Sequence, residues 1–290
     1  MVGGGPAGLT AAVYLARFRR KFLLIDAGES RALRIPRTRN LSGFPEGING
    51  REFLRRLRQQ ARNFDAEMQA GKVSALSRDG NGFLAEANGK TIEARAVLLA
   101  TGVINFDPPM NELDRAIAMG AVRYCPVCDG YEASGRNIAV LGGGAHAVEE
   151  AIFLRTYSAD ITFLSLHGAA KPPPQALEDG RHAGVRIIGG EIARLQLNKD
   201  KTISANTIGG EELRFDTLYC ALGTEARHRL ASMLGVELFK NNCIRVDAHM
   251  RASVEGLYAA GDVIEGLDQI SAAIGNAAIA ATTIHNALNE

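Results

Sequence analysis

Gly3-Gly4-Gly5-Pro6-Ala7-Gly8, followed by a helical pattern and then by Phe22-Leu23-Leu24-Ile25-Asp26, decides how this chain is read. The six residues fit G-x-G-x-x-G. In such a turn the first glycine, Gly3, allows a tight bend. The second, Gly5, lets backbone approach a pyrophosphate, and the third, Gly8, lets helix and strand pack closely. Pro6 suits the first helical position, where its missing N–H is no loss. Leu9, Ala12, Val13 and Ala16 recur at helical spacing through Arg20. Residues 22–25 are a continuous apolar run, as in a parallel strand buried on both faces. Asp26 stands 21 residues after Gly5, where a carboxylate can accept from both hydroxyls of a ribose. Turn, helix, strand and acid together point to a bound dinucleotide. A glycine-rich turn in an unliganded α/β domain is the bland alternative. Only Met1 and Val2 precede the turn, where about five strand residues are expected, so the first strand reads as clipped.

The pattern returns. Gly142-Gly143-Gly144 through Ser165 aligns with Gly3-Gly4-Gly5 through Asp26 without a gap, at an offset of 139. Both copies read as glycine turn, helix, strand, which argues for two nucleotide-binding units. The fold class is therefore α/β, two Rossmann-like three-layer domains with the second inserted into the first. Residues 1–107 and 240–290 form the first, discontinuous domain, and residues 108–239 the second. Coarser patterns predict helices near 51–64, 147–157, 226–234 and 269–288. They predict strands near 72–78, 82–87, 137–141, 161–166 and 257–260.

Composition bounds the rest. The chain has 290 residues, 46% of them apolar and 22% charged, enough for two domains with ordinary cores. Lys and Arg total 33 against 32 for Asp and Glu, so global charge argues for neither nucleic acid nor an anionic membrane. No run of about 18 apolar residues is present, and no signal-peptide pattern opens the chain. Cytoplasmic localisation is the expectation. Four cysteines do not make a disulfide framework.

Two of those cysteines carry chemistry. In Cys125-Pro126-Val127-Cys128-Asp129-Gly130 two thiols two residues apart can close a small disulfide ring. A helix start would stabilise a thiolate there. The adjacent carboxyl of Asp129 can shuttle the proton that thiol–disulfide exchange requires. Half a zinc site is the competing reading, but a structural site needs four ligands, and Cys220 and Cys243 form no second pair. Further along, Leu257-Tyr258-Ala259-Ala260-Gly261-Asp262 sets a second acid after a buried strand, where Asp262 can accept from a polyol. The helix from Gln269 can aim its N–H groups at an electron-rich ring.

These segments, in this order, resemble the low-molecular-weight thioredoxin reductases over essentially the whole chain. Val2 to Gly8, Ala100-Thr101-Gly102, Cys125 to Gly130, and Ala260 to Asp262 with Gln269 carry the resemblance. It implies an FAD-dependent disulfide oxidoreductase. FAD would lie along Gly3, Gly5, Pro6, Ala7, Gly8 and Asp26. Asn40, Thr101, Gly102, Gly261, Asp262, Gln269 and Ile270 would be further contacts. Cys128 would face the flavin, Cys125 would attack the partner disulfide, and Asp129 would serve as acid–base. The family is homodimeric and rotates its second domain to bring pyridine nucleotide and disulfide to the flavin alternately.

The second glycine unit departs from that pattern. Gly142, Gly144 and Ala147 remain, but the run of arginines that grips the 2′-phosphate of NADPH is replaced by Leu164-Ser165-Leu166-His167-Gly168-Ala169-Ala170-Lys171. No arginine stands between Arg155 and Arg181. Charge-assisted hydrogen bonds contribute roughly 1.5–3 kcal/mol each, so losing two or three weakens binding by roughly 10² to 10⁵-fold. His167 and Lys171 recover part of this but make no bidentate fork. Branches that resemble this family but lack the NADPH grip take electrons from reduced ferredoxin or a second flavin, so the resemblance implies such a donor, with a relaxed NADPH site as the alternative. A dithiol oxidase using oxygen and a redox-sensing flavoprotein without turnover also fit the motifs. The expected oxidant is a thioredoxin-like protein or a small disulfide. Residues 17–62 hold 13 basic and 4 acidic side chains, which either steer an acidic partner or form a plain solvated face.

Overall fold

The computed structural model describes residues 1–289. In chain order the helices are α1 (Pro6–Arg17), α2 (Gly50–Arg62), α3 (Leu113–Ala118), α4 (Pro126–Asp129), α5 (Gly144–Leu154), α6 (Pro174–His182), α7 (Arg229–Met233) and α8 (Ile270–Ala287).

The outer unit is built on parallel strands. Leu24–Asp26 pairs with Met68–Ala70, and Val97–Leu99 with Leu257–Ala259. Val2 joins the two ribbons, bridging Ile25 on one side and Leu99 on the other. The short segment before the glycine turn thus occupies the middle of the sheet. Helix α1 lies between two neighbours. Leu9, Ala12 and Val13 cluster with Leu24 and with Leu54 and Ala61 of α2. Ala7, Ala11 and Leu15 cluster with Ala273, Ala277 and Ala281 of α8. Small residues on both helices let these backbones approach closely. A three-stranded antiparallel meander, Val73–Asp79, Gly82–Ala87 and Lys90–Ala94, adds Leu76 and Phe83 to the same core.

The inner unit has a seven-stranded sheet ordered Glu212–Phe215, Ile203–Thr207, Arg186–Leu197, Ile161–Leu166, Ile138–Gly142, Thr217–Ala221, Val122–Arg123. Its last five strands are parallel. Side chains alternate between faces, as strand geometry requires. Ile138 and Val140 pack with Ala147, Val148, Ala151 and Leu154 of α5. Ala139 and Leu141 face the other way, toward Ala116 and Ile117 of α3. This is why the strand reads as one apolar run.

Two connectors, Val103–Asn105 and Thr224–Ala226, cross between the units as an antiparallel ribbon. After it, Leu230, Ala231 and Val236 pack into the outer core. By packing, the return to the outer unit lies near Arg227 rather than at 239. The helix expected over 226–234 is correspondingly only α7, because Ala226 belongs to the ribbon. Helix α1 stops at Arg17 rather than Arg20. Arg19 turns left-handed at φ 56° and the Arg20 N–H reaches back to the Leu15 carbonyl, closing the end without glycine. Asp65, with φ 58°, ends α2 in the same way two residues before the expected limit. Helix α5 begins at Gly144, three residues ahead of the expected 147, and ends at Leu154. The strand expected at 22–25 is Leu24–Asp26.

Candidate active site

The first glycine turn is sterically obligatory. Gly3 has φ 105°, and a Cβ there would lie 2.2 Å from the Ala100 carbonyl oxygen. A Cβ on Gly8 would lie 1.8 Å from the Gly3 oxygen, so α1 can dock on the strand end only without one. Gly8 is thus a packing residue and does not line the site. The N-terminus of α1 opens on a cavity of about 840 Å³. Its walls include Gly3, Gly5, Pro6, Ala7 and Asp26, and Thr101 and Gly102 between the strands Val97–Leu99 and Val103–Asn105. Asn40, Gly261, Asp262, Gln269 and Ile270 complete the outer unit's share.

Asp26 is held by backbone and charge. Its Oδ1 accepts from the Gly4 N–H at 3.1 Å and the Gly28 N–H at 3.0 Å, and its Oδ2 pairs with Arg58 at 2.9 Å. At the opposite end Arg31 bridges Asp262 at 3.2 Å and Asp268 at 2.9 Å. Burial raises the Asp268 carboxyl, as does the nearby Asp262, while Arg31 lowers it; the net shift is upward. Sequence reasoning misses Arg31 and Asp268; two acids six residues apart with a distant arginine carry no local signature.

The inner unit closes the cavity with its sulfurs. Cys125 and Cys128 form a disulfide across the first turn of α4, and both line the same cavity as Gly3 and Gln269. Joined in this way, they are not zinc-ligating thiolates. Cys125 is the residue before α4, and the Cys128 N–H points at its Sγ at 3.1 Å. Gln269 Nε2 lies 3.3 Å from Cys125 Sγ and 3.2 Å from Cys128 Sγ. Gly130 is required beneath the loop, since a Cβ there would meet the Tyr157 ring at 2.5 Å.

Asp129 follows the pair and is held on both of its oxygens. Arg123 Nη1 lies 2.7 Å from its Oδ2, and the Tyr219 hydroxyl donates to its Oδ1 at 2.9 Å. Burial raises its pKa, and Arg123 and Tyr219 oppose that without cancelling it. Tyr219 is itself fully buried, and its phenol is pushed far above the ordinary tyrosine range by burial and by the Asp129 charge. Neither partner is visible from sequence, being 6 residues before and 90 residues after the acid.

The units also meet beside the disulfide. Arg34 of the outer unit donates to Asp107 at 2.9 Å and to the Tyr124 hydroxyl at 3.3 Å. The Tyr124 hydroxyl donates to the same Asp107 oxygen at 2.5 Å. Tyr124 immediately precedes Cys125, so this triad anchors the segment that leads into α4 and the sulfurs.

The second glycine turn is built alike but filled differently. Gly144 has φ 69°, and Gly142 packs so closely that a Cβ would lie 2.4 Å from Ala147 Cβ. The Gly144 N–H, however, donates to the Ala170 carbonyl at 2.8 Å. A Cβ on Gly143 would meet that oxygen at 2.6 Å and Ala169 Cβ at 2.9 Å. The chain's own loop therefore sits where a pyrophosphate would meet the N-terminus of α5. His167 is paired with Glu191 at 2.5 Å, and Arg155 is spent on the carbonyls of Ala183, Ser158 and Ala159.

A dinucleotide cradle and a disulfide sharing one cavity define a flavin-dependent disulfide oxidoreductase. The chain belongs to the pyridine nucleotide-disulphide oxidoreductase family, whose model matches residues 1–277, and within it to the low-molecular-weight thioredoxin reductases. It is 30% identical to the thioredoxin reductase of Mycolicibacterium smegmatis over 91% of this chain and 88% of that one. The solved thioredoxin reductase of Streptococcus pyogenes superposes with a TM-score of 0.90 at 25% identity, covering 99% of this chain and 96% of the other. The Lactococcus lactis enzyme in its FR conformation, also 25% identical and covering 98% and 96%, reaches only 0.63. The cofactor of such an enzyme is FAD, and the outer cavity fits it, with glycine backbone at a helix N-terminus, an anchored acid at the end of the following strand, and ample volume. Among the described residues no helix is long and apolar enough to cross a membrane.

Proposed function

We propose that the chain passes two electrons between FAD and a disulfide substrate through Cys125 and Cys128, and that its electron donor is not NADPH. The observation that carries the first half is the disulfide forming one wall of the flavin cavity. FAD, when bound, supplies the two-electron carrier. The chain's own groups do the remainder. Asp26 would hold the ribose and the N-terminus of α1 the pyrophosphate. The Cys125–Cys128 bond opens on taking two electrons and a proton, leaving one thiol and one thiolate. Asp129, its pKa raised by burial, retains a proton closer to neutrality than a surface acid and can exchange it with the sulfurs. Cys125 then attacks the substrate disulfide.

The filled second glycine turn supports a donor other than NADPH, such as reduced ferredoxin or another flavin. The arginine-rich face gives less support to electrostatic steering. Arg31, Arg34, Arg39, Arg55, Arg56 and Arg58 each pair with a carboxylate. A thioredoxin-like protein suits the exposed Val127, between the two cysteines, and Tyr131, three residues after Cys128, at 50% and 79% exposure. The two levels of superposition at equal identity support a unit that changes its disposition during turnover. A cytoplasmic homodimer is the proposed form. The test is anaerobic reduction of the flavin by NADPH, NADH, reduced ferredoxin and dithiothreitol, in wild type and in Cys128→Ser. Ferredoxin and dithiothreitol should bleach the wild-type flavin, and micromolar NADPH should not. Cys128→Ser should keep its flavin and lose disulfide turnover. Full turnover in that variant would refute the thiol route, and rapid bleaching by NADPH would refute the donor assignment.

A further inference from the structure

Gln269 occupies the residue before α8, a place where Ser, Thr, Asp and Asn are favoured because their side chains cap the helix. Here the side chain makes no capping bond. It reaches instead to both sulfurs, at 3.3 and 3.2 Å through Nε2. Its orientation is set from behind. Gln269 Oε1 accepts from Asn40 Nδ2 at 2.9 Å, and Asn40 Oδ1 accepts from the Thr38 hydroxyl at 2.7 Å. Thr38 is buried and paired in both directions with the Ile48 backbone, at 2.8 and 2.9 Å. With the Thr38 hydroxyl donating to the Asn40 oxygen and Asn40 donating to the Gln269 oxygen, each NH₂ group points forward and the last one points at the disulfide, while Gln269 Oε1 lies farther from Cys128 Sγ, at 3.7 Å. A disulfide sulfur offers only a weak acceptor. The same N–H becomes a charge-assisted donor once a thiolate forms.

We infer that Gln269, aligned by Asn40 and Thr38, is a positioning residue that donates its amide hydrogens to the thiolate formed when the Cys125–Cys128 bond is reduced. The inference rests on the proposed thiol chemistry. When the bond breaks, two electrons and one proton enter the pair, one sulfur becomes a thiol, and the other keeps the negative charge that Gln269 faces. Other charges near the pair come already matched. On the inner side Asp129 is paired with Arg123, and Glu132 faces Arg39 at 3.9 Å. Tyr124 lies with Arg34 and Asp107, and beside Gln269 the acids Asp262 and Asp268 share Arg31. The neutral amide is thus the side-chain donor directed at both sulfurs, beside the Cys128 N–H on Cys125 Sγ. The N-terminal end of the 18-residue helix α8 adds a favourable potential at the same point.

The experiment titrates the dithiothreitol-reduced FAD enzyme by the pH dependence of iodoacetamide alkylation, with mass spectrometry reporting Cys125 and Cys128 separately. One lost charge-assisted bond corresponds to a rise of about one to two pH units in the thiolate midpoint. Gln269→Leu should show that rise. Asn40→Ala and Thr38→Val, which leave the amide in place but unaligned, should show smaller rises in the same direction. If Gln269→Leu does not fold or loses its flavin, Asn40→Ala decides. A midpoint unchanged in folded, flavin-bound Gln269→Leu, or in Asn40→Ala when it decides, overturns the inference while leaving the proposed function intact. A wild-type disulfide that exchanges no electrons with its flavin overturns the function itself.

Discussion

Replacing Asp107 with asparagine tests what keeps the sulfur-bearing unit seated on the flavin cavity. One carboxylate oxygen of Asp107 accepts both from Arg34 of the outer unit and from the Tyr124 hydroxyl beside Cys125. Hydrogen bonds to charged groups contribute about 1.5–3 kcal/mol each when shielded. The Asp107 side chain is 43% exposed and that of Arg34 31%, so solvent screens much of this. The amide also keeps a neutral acceptor. A net loss of about 1 kcal/mol is the reasonable figure, and it corresponds to about a fivefold shift in an equilibrium. Alkylation of the reduced sulfurs that requires transient separation of the units should therefore accelerate about fivefold in Asp107→Asn. The assay is the iodoacetamide rate at fixed pH on flavin-bound protein, with thermal unfolding as a control on global stability. A rate within experimental error of wild type, with the same melting temperature, would show that the triad does not hold the units together.

Asp129→Asn should lower disulfide turnover by roughly 10² to 10⁴-fold while flavin remains bound, because a general acid–base contributes on that scale; a loss below threefold in steady-state assays would remove Asp129 from the mechanism. Gly8→Ala should yield protein lacking flavin and reduced in stability, since the new methyl would lie 1.8 Å from the Gly3 oxygen; a normal flavin-to-protein absorbance ratio would contradict this account of the turn. Glu52, hydrogen-bonded by Arg55 and Arg56, has its carboxyl lowered from 4.5 to about 2. A depressed folded-state pKa gives stability that is complete above pH 4.5 and is lost as the pH falls toward 2. Glu52 is solvent-facing, so Glu52→Gln should lower the melting temperature only slightly at pH 7, and that difference from wild type should vanish as the pH falls toward 2.

Features governed by local chemistry are legible in the chain. Gly3, Gly8 and Gly142 announce themselves because a side chain at those turns would collide with its neighbours. Cys125 and Cys128 do so by spacing, and Asp26 by its distance from the glycines. What escapes is set by tertiary contact. Tyr219 reads as one more apolar strand residue, and only the folded sheet brings its hydroxyl to Asp129. Arg31, Arg34 and Arg58 read as members of a basic face, yet each turns inward to a particular carboxylate. Gln269 is legible as a neighbour of the flavin but not of the sulfurs, because it stands 141 residues from Cys128 in the chain. Helix ends at Arg19 and Asp65 are missed because left-handed residues other than glycine leave no mark in sequence.

The loop that stoppers the second glycine turn has a mechanical consequence. If the inner unit carries no nucleotide, as proposed, the Gly144 to Ala170 hydrogen bond braces its glycine turn from within and the unit serves as an arm. Such an arm is free to be shaped only by what it carries at its tip, the sulfur pair, and by the docking of whatever protein comes to collect the electrons.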